Sequence, residues 1–151
     1  MRKMTESNLL AAFAGESQAH MRYLIFAERA RRDGFPTVAR LFEAISFAEQ
    51  VHAANHLREL GQVRSSADNL QAAIDGETYE VEEMYPAFHA VAELQDEKGA
   101  QRSTTYALEA EKVHARLYAQ ALGAVQSGKD LDAGTVHICE VCGYTVIGEA
   151  P

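Results

Sequence analysis

The sequence predicts an all-α protein, a four-helix bundle followed by a short β-rich segment. Three observations carry that prediction. Four long stretches show helical apolar periodicity. Each is bounded by glycine, proline or Ser/Asp-rich turn chemistry. The last residues, TVHICEVCGYTVIGEAP, change composition abruptly and hold both cysteines of the chain.

The first helix is expected from about Thr5 to Asp33, with Leu9, Leu10, Phe13, Tyr23, Leu24 and Phe26 available for packing. Gly34, Phe35 and Pro36 interrupt it, because glycine and proline both oppose helix continuation. The second is expected from about Thr37 to Leu60, with Gly61 as its C-terminal cap. RSSADN supplies turn and N-cap chemistry for a third, from about Asp68 to Gln95. Pro86 lies inside that third stretch and should kink it or mark a local irregularity. The fourth is expected from about Lys98 to Gln126, ending at SGKD. Residues 1–130 thus read as the bundle domain and 131–151 as a separate small module.

At 151 residues one domain with a real core is expected. A formal charge of −8 argues against a nucleic-acid partner, whose phosphates would be repelled. The apolar run LLAAFA near the start is too short for a membrane span, so a cytoplasmic protein is expected. Cys139 and Cys142 form a CxxC, too close for a disulfide framework and suited to metal or redox chemistry.

The two halves of the helical region repeat one pattern. Residues 49–52 read EQVH and residues 111–114 read EKVH, and Glu16 and Glu77 stand 33 and 34 positions before Glu49 and Glu111. Three residues is just under one helical turn, so Glu49 with His52, and Glu111 with His114, project from one face. Buried and unpaired, such groups would be costly. A Glu from each of two helices with ExxH from the other two is the ligand set of di-iron carboxylate bundles. Four carboxylates neutralise two divalent ions, and each imidazole caps one ion. Glu80, one turn after Glu77, allows a seventh ligand. A single ExxH is common in helices and a lone glutamate is usually solvated; the matched repetition is what favours metal. His56, His89, Glu28, Glu43 and Glu59 read as surface or packing residues, while His20, one turn from Glu16, stays ambiguous.

Here a resemblance becomes specific. GESQAHMRY at 15–23, AEQVH at 48–52, GETYEVEEMYPAF at 76–88 and EAEKVH at 109–114 are similar to the four helix motifs of rubrerythrins. HICEVCGY resembles the first knuckle of the rubredoxin-like module that follows the bundle in that family. The resemblance implies a ferritin-like bundle with Glu16, Glu49, His52, Glu77, Glu80, Glu111 and His114 as di-iron ligands. It further implies that His52 and Glu80 alternate on one iron as its oxidation state changes, and that Tyr23 and Tyr85 hydrogen-bond ligand carboxylates. Two departures stand out. The family position matching His20 is often arginine. A rubredoxin-type iron also needs four thiolates, and only Cys139 and Cys142 are present. Either a second pair lies beyond Pro151, or the chain lacks that iron, or two chains share one four-thiolate site. A zinc at the CxxC faces the same shortage, and a bare redox pair is the less favoured reading.

Link length bears on assembly. In a ferritin-like bundle Glu49 and Glu77 must lie at one level, which leaves about 31 Å of axial travel between the second and third helices. Residues 62–67 reach about 25 Å at most. A domain-swapped homodimer is therefore expected. The resemblance implies a peroxidase that reduces hydrogen peroxide to water, supplied with electrons by a rubredoxin-like donor. The alternatives are ferroxidase or iron-handling chemistry with oxygen, oxygen-activating hydroxylation, and, from a different class, a structural bundle with a zinc-binding tail.

Overall fold

The computed structural model describes residues 1–149. Its helices follow the expected boundaries to within two residues: α1 (Lys3–Arg32), α2 (Pro36–Glu59), α3 (Ser66–Tyr79), α4 (Tyr85–Leu94) and α5 (Lys98–Gln126). A two-stranded antiparallel hairpin closes the chain, β1 (Val136–Ile138) and β2 (Thr145–Ile147), with His137 opposite Val146. Among the described residues, no helix is long and apolar enough to cross a membrane.

The helix ends show why the boundaries were readable. Gly34 and Gly61 adopt positive φ (85° and 67°) just past α1 and α2. There the N–H of Phe35 reaches Ala30 O and that of Gln62 reaches Leu57 O, so each end closes on carbonyls the helix leaves free. Asp96 takes the same left-handed position after α4 at φ 56°, with Glu97 N–H on Ala92 O. α3 starts two residues earlier than expected because Ser65 is its cap, its hydroxyl accepting from Asp68 N–H at 3.1 Å.

Between α3 and α4 the helix does not break. It widens into a π-helical turn, Glu80–Met84, with Tyr85 N–H on Glu80 O. This is the irregularity expected at Pro86, which stands in the first turn of α4 and offers no N–H to an ordinary helical ladder. Residue count accounts for it as well. Glu16 precedes Gly34 by 18 positions, whereas Glu77 precedes Asp96 by 19, while Glu49 and Glu111 each follow those caps by 15. A π turn takes up one surplus residue, so Glu77 faces α5 as Glu16 faces α2.

The chain divides into two compact units, Met1–Arg64 and Ser65–Pro151. In the first, α1 and α2 form an antiparallel hairpin packed on small residues: Ala27, Ala30 and Ala39 are buried, with Phe42 against them. Fully buried Ser46 donates its hydroxyl to His20 O, and His20 Nδ1 lies 2.9 Å from Ser46 O, tying the helices together. In the second, α5 packs on α3 and α4 through Ala92, Ala110 and Val113. A helical hairpin can bury only one stripe of each helix. Large apolar side chains that suit a bundle core consequently stay open, Phe47 at 65% and Leu94 at 87% exposure among them.

Candidate metal centre

Among the described residues, each unit carries one cluster of three groups able to hold a metal ion. In the first it is Glu16, Glu49 and His52; in the second Glu77, Glu111 and His114. Within each cluster one donor atom per residue lies within 4.8 Å of the others. The ExxH spacing does what helical geometry requires. His52 Nδ1 is 2.9 Å from Glu49 Oε2 and 3.9 Å from Glu16 Oε1. His114 Nδ1 is 2.6 Å from Glu111 Oε2.

The second cluster is strongly crowded with acid. Burial raises the Glu77 carboxyl to about 7, helped by its contact with Glu111 and by the charges of Glu111 and Glu80, with His114 opposing. Glu80 is raised by burial and then by Glu111, and the Tyr85 hydroxyl by burial and then by Glu80, Glu111 and Glu77. A carboxylate that holds its proton near neutrality because burial, and then neighbouring carboxylates, disfavour its charge is a group that a cation would relieve. The donor set is carboxylate and imidazole, which suits iron, manganese or zinc. On that chemistry the residues fit a divalent metal.

The remaining expected residues are distributed as follows. Glu80 opens the π turn, outside the three-donor group but close enough to act on Glu77 and Tyr85. Tyr23 packs its ring at a tilt against Phe26 and Phe42, ring centroids 6.3 and 6.0 Å away. His20 is engaged with Ser46, and His89 lies between Thr104 Oγ1 (3.0 Å) and Glu93. Cys139 and Cys142 sit at the hairpin turn with free thiols, where Gly143 N–H reaches Cys139 O and Cys139 N–H reaches Tyr144 O. Backbone N–H groups of Val141 and then Cys142 lower the Cys139 thiol below its usual range, as a thiolate ligand needs.

Sequence reasoning missed one neighbour of the cluster. Thr145 Oγ1 lies 2.9 Å from His114 Nε2, a contact across 31 positions that no local spacing announces.

Two hairpins that each bring a lone Glu against ExxH define a ferritin-like di-iron carboxylate protein. The rubrerythrin family profile matches residues 7–122. Rubrerythrin-2 of Clostridium acetobutylicum is 44% identical, covering 97% of this chain and 87% of that protein. Nigerythrin of Nitratidesulfovibrio vulgaris is 35% identical over 96% of this chain and 77% of its own. A solved structure of fully reduced, all-ferrous nigerythrin superposes with a TM-score of 0.54 at 35% identity, covering 96% of this chain and 77% of that one. The chain belongs to the rubrerythrin family.

Proposed function

We propose that the chain is a non-haem di-iron peroxidase that reduces hydrogen peroxide to water. The reaction consumes one peroxide, two electrons and two protons and yields two waters. The observation that carries it is the pair of Glu/ExxH clusters, with Glu80 doubling Glu77 beside the second. Iron held there would supply the two electrons and the Lewis acidity. Nigerythrin has been captured as all-ferrous, mixed-valence and partially reduced forms, which supports redox-active iron in this chain too.

The chain's own groups have distinct tasks in this reading. Glu16, Glu49, Glu77 and Glu111 neutralise the metal charge, and His52 and His114 cap it. Glu80, close enough to act on Glu77, would supply further anionic charge to iron held there. Tyr85 sits beside Glu77, Glu80 and Glu111 and steadies their carboxylates through its hydroxyl; Tyr23 does so at the first cluster. Electrons return from a rubredoxin-like donor in the cytoplasm. Cys139 and Cys142 take part as half of a thiolate metal site.

Three ligands per cluster are too few for a two-metal centre, so clusters must combine. The link of residues 62–67 is short for doing this inside one chain. We infer a domain-swapped homodimer in which residues 1–130 form the bundle and residues 131–151 the appended knuckle. Exposed Phe47, Phe88 and Leu94 supply apolar surface for such an assembly. A monomeric mass for the fully metal-loaded protein would sink the swap.

Anaerobic loading with Fe(II) followed by rapid mixing with hydrogen peroxide or with oxygen tests the activity. Oxidation much faster with peroxide, followed in the near-ultraviolet, is the expected result. Equal or faster oxidation by oxygen would instead favour ferroxidase or oxygenase chemistry.

A further inference from the structure

We propose that Thr145, in the C-terminal hairpin, is a positioning residue for His114: it accepts the Nε2 proton and so leaves Nδ1 free to bind metal. The inference rests on the reading of His114 as a ligand, and is independent of whether peroxide or oxygen is the oxidant.

The argument is one of hydrogen-bond capacity. A neutral imidazole has one N–H and one lone pair, and the partner of one nitrogen decides which role the other plays. His114 Nδ1 faces Glu111 Oε2 at 2.6 Å, inside the cluster that also holds Glu77. For Nδ1 to serve as a donor atom to a cation, the ring proton must sit on Nε2. The group on that nitrogen is Thr145 Oγ1, at 2.9 Å. Threonine can donate or accept, and here its own proton has somewhere else to go. Thr145 Oγ1 donates to Gly143 O at 3.1 Å, which leaves its lone pairs facing Nε2.

The hydroxyl is also held in place. Thr145 pairs with Ile138 across the β-hairpin, and Cys139 N–H bonds Tyr144 O directly before it. Gly143 seats against α5, where an added Cβ would lie 3.9 Å from that of Ala110, next to Glu111. Ligand histidines commonly need such a partner on the second nitrogen, and its loss costs on the order of 10–100-fold in metal affinity. His52 sits in a different setting, with its side chain 54% exposed to water.

The test uses Zn(II), a diamagnetic probe, with the full-length chain and its Thr145→Val, Thr145→Ser and His114→Gln variants. Glu16, Glu49 and His52, and the pair Cys139 and Cys142, could also take zinc. Affinity is therefore read at the second cluster itself, from the carbon-13 shift of the Glu77 carboxyl during zinc titration. The His114 Nε2–H is read by nitrogen-15 correlation spectra of the zinc-loaded protein. Valine keeps the shape and strand preference of threonine. We expect Thr145→Val to weaken zinc about 10–100-fold and to expose Nε2–H to rapid exchange, while Thr145→Ser restores both. Unchanged affinity and exchange in Thr145→Val would overturn the proposal, as would an equal loss in Thr145→Ser, which would make shape rather than the hydroxyl responsible. His114→Gln separates the two readings: if it binds zinc as the parent does, His114 is not a ligand and the metal reading itself fails.

Discussion

The two clusters come from one repeated motif yet sit in different surroundings. Around Glu16, Glu49 and His52 the helices α1 and α2 run regularly, and His52 is open to water. Around Glu77, Glu111 and His114 the helix widens into a π turn, Glu80 and Tyr85 join the acid group, and Thr145 covers the imidazole, whose side chain is only 25% exposed. Sequence repetition copies the carboxylates and the imidazole. It does not copy their environment, and environment sets how tightly protons compete with metal for the same oxygens.

The bluntest way to test this contrast is to remove one anchor from each side. Glu49→Ala and Glu111→Ala should both weaken Co(II) binding by at least about 100-fold, more than loss of an outer partner does, as read by visible-band titration. Only Glu111→Ala should also lower Glu77 part of the way toward the ordinary carboxyl range, because Glu111 adds to the shift that burial begins. A carbon-13 titration of the Glu77 carboxyl that stays near 7 in that variant would break the assignment.

A smaller effect follows from protons. Glu77, raised to about 7, must lose its proton before it can ligate. Zinc affinity of the second cluster should fall up to about tenfold per pH unit as pH drops below 7, and level off above it. Calorimetry in buffers of different ionisation heat should find proton release that grows as pH falls. An affinity that is flat between pH 5.5 and about 7 would contradict the crowding argument.

The same shift has a stability sign. A carboxyl raised from 4.5 to about 7 in the folded state binds a proton more tightly there than when unfolded. Its penalty is absent below 4.5, grows as pH rises to 7, and is complete above. Metal-free Glu77→Gln should therefore melt higher than the parent at pH 8 and match it at pH 4.5. Solvent screening at this partly exposed site limits the gain to about 1 kcal/mol. Equal melting temperatures at pH 8 would be the adverse result.

The smallest effect concerns the caps. Gly34 ends α1 at positive φ without strain, whereas Asp96 ends α4 in the same conformation with a Cβ. Asp96→Gly should stabilise the second unit by about 0.5 kcal/mol, after allowing for its exposed pairing with Lys98. Urea unfolding would show this as a small rise in midpoint at constant slope.

Much of the fold was legible because the signals were local. Gly34, Gly61 and the Ser65 cap set helix ends through bonds spanning a few residues, and helical pitch alone put Glu49 with His52 and Glu111 with His114. Pro86 announced an irregularity, and the spacing of 34 against 33 carried its cause, since one surplus residue must go somewhere. What tertiary structure alone decided is who meets whom over distance. Thr145 on His114, Ser46 on His20, and the burial and acid crowding that lift Glu77 depend on helices and a hairpin brought together by packing. A residue's position in the chain fixes its face on a helix; its proton affinity and hydrogen-bond partners depend on dielectric and contacts that exist only once the chain has folded.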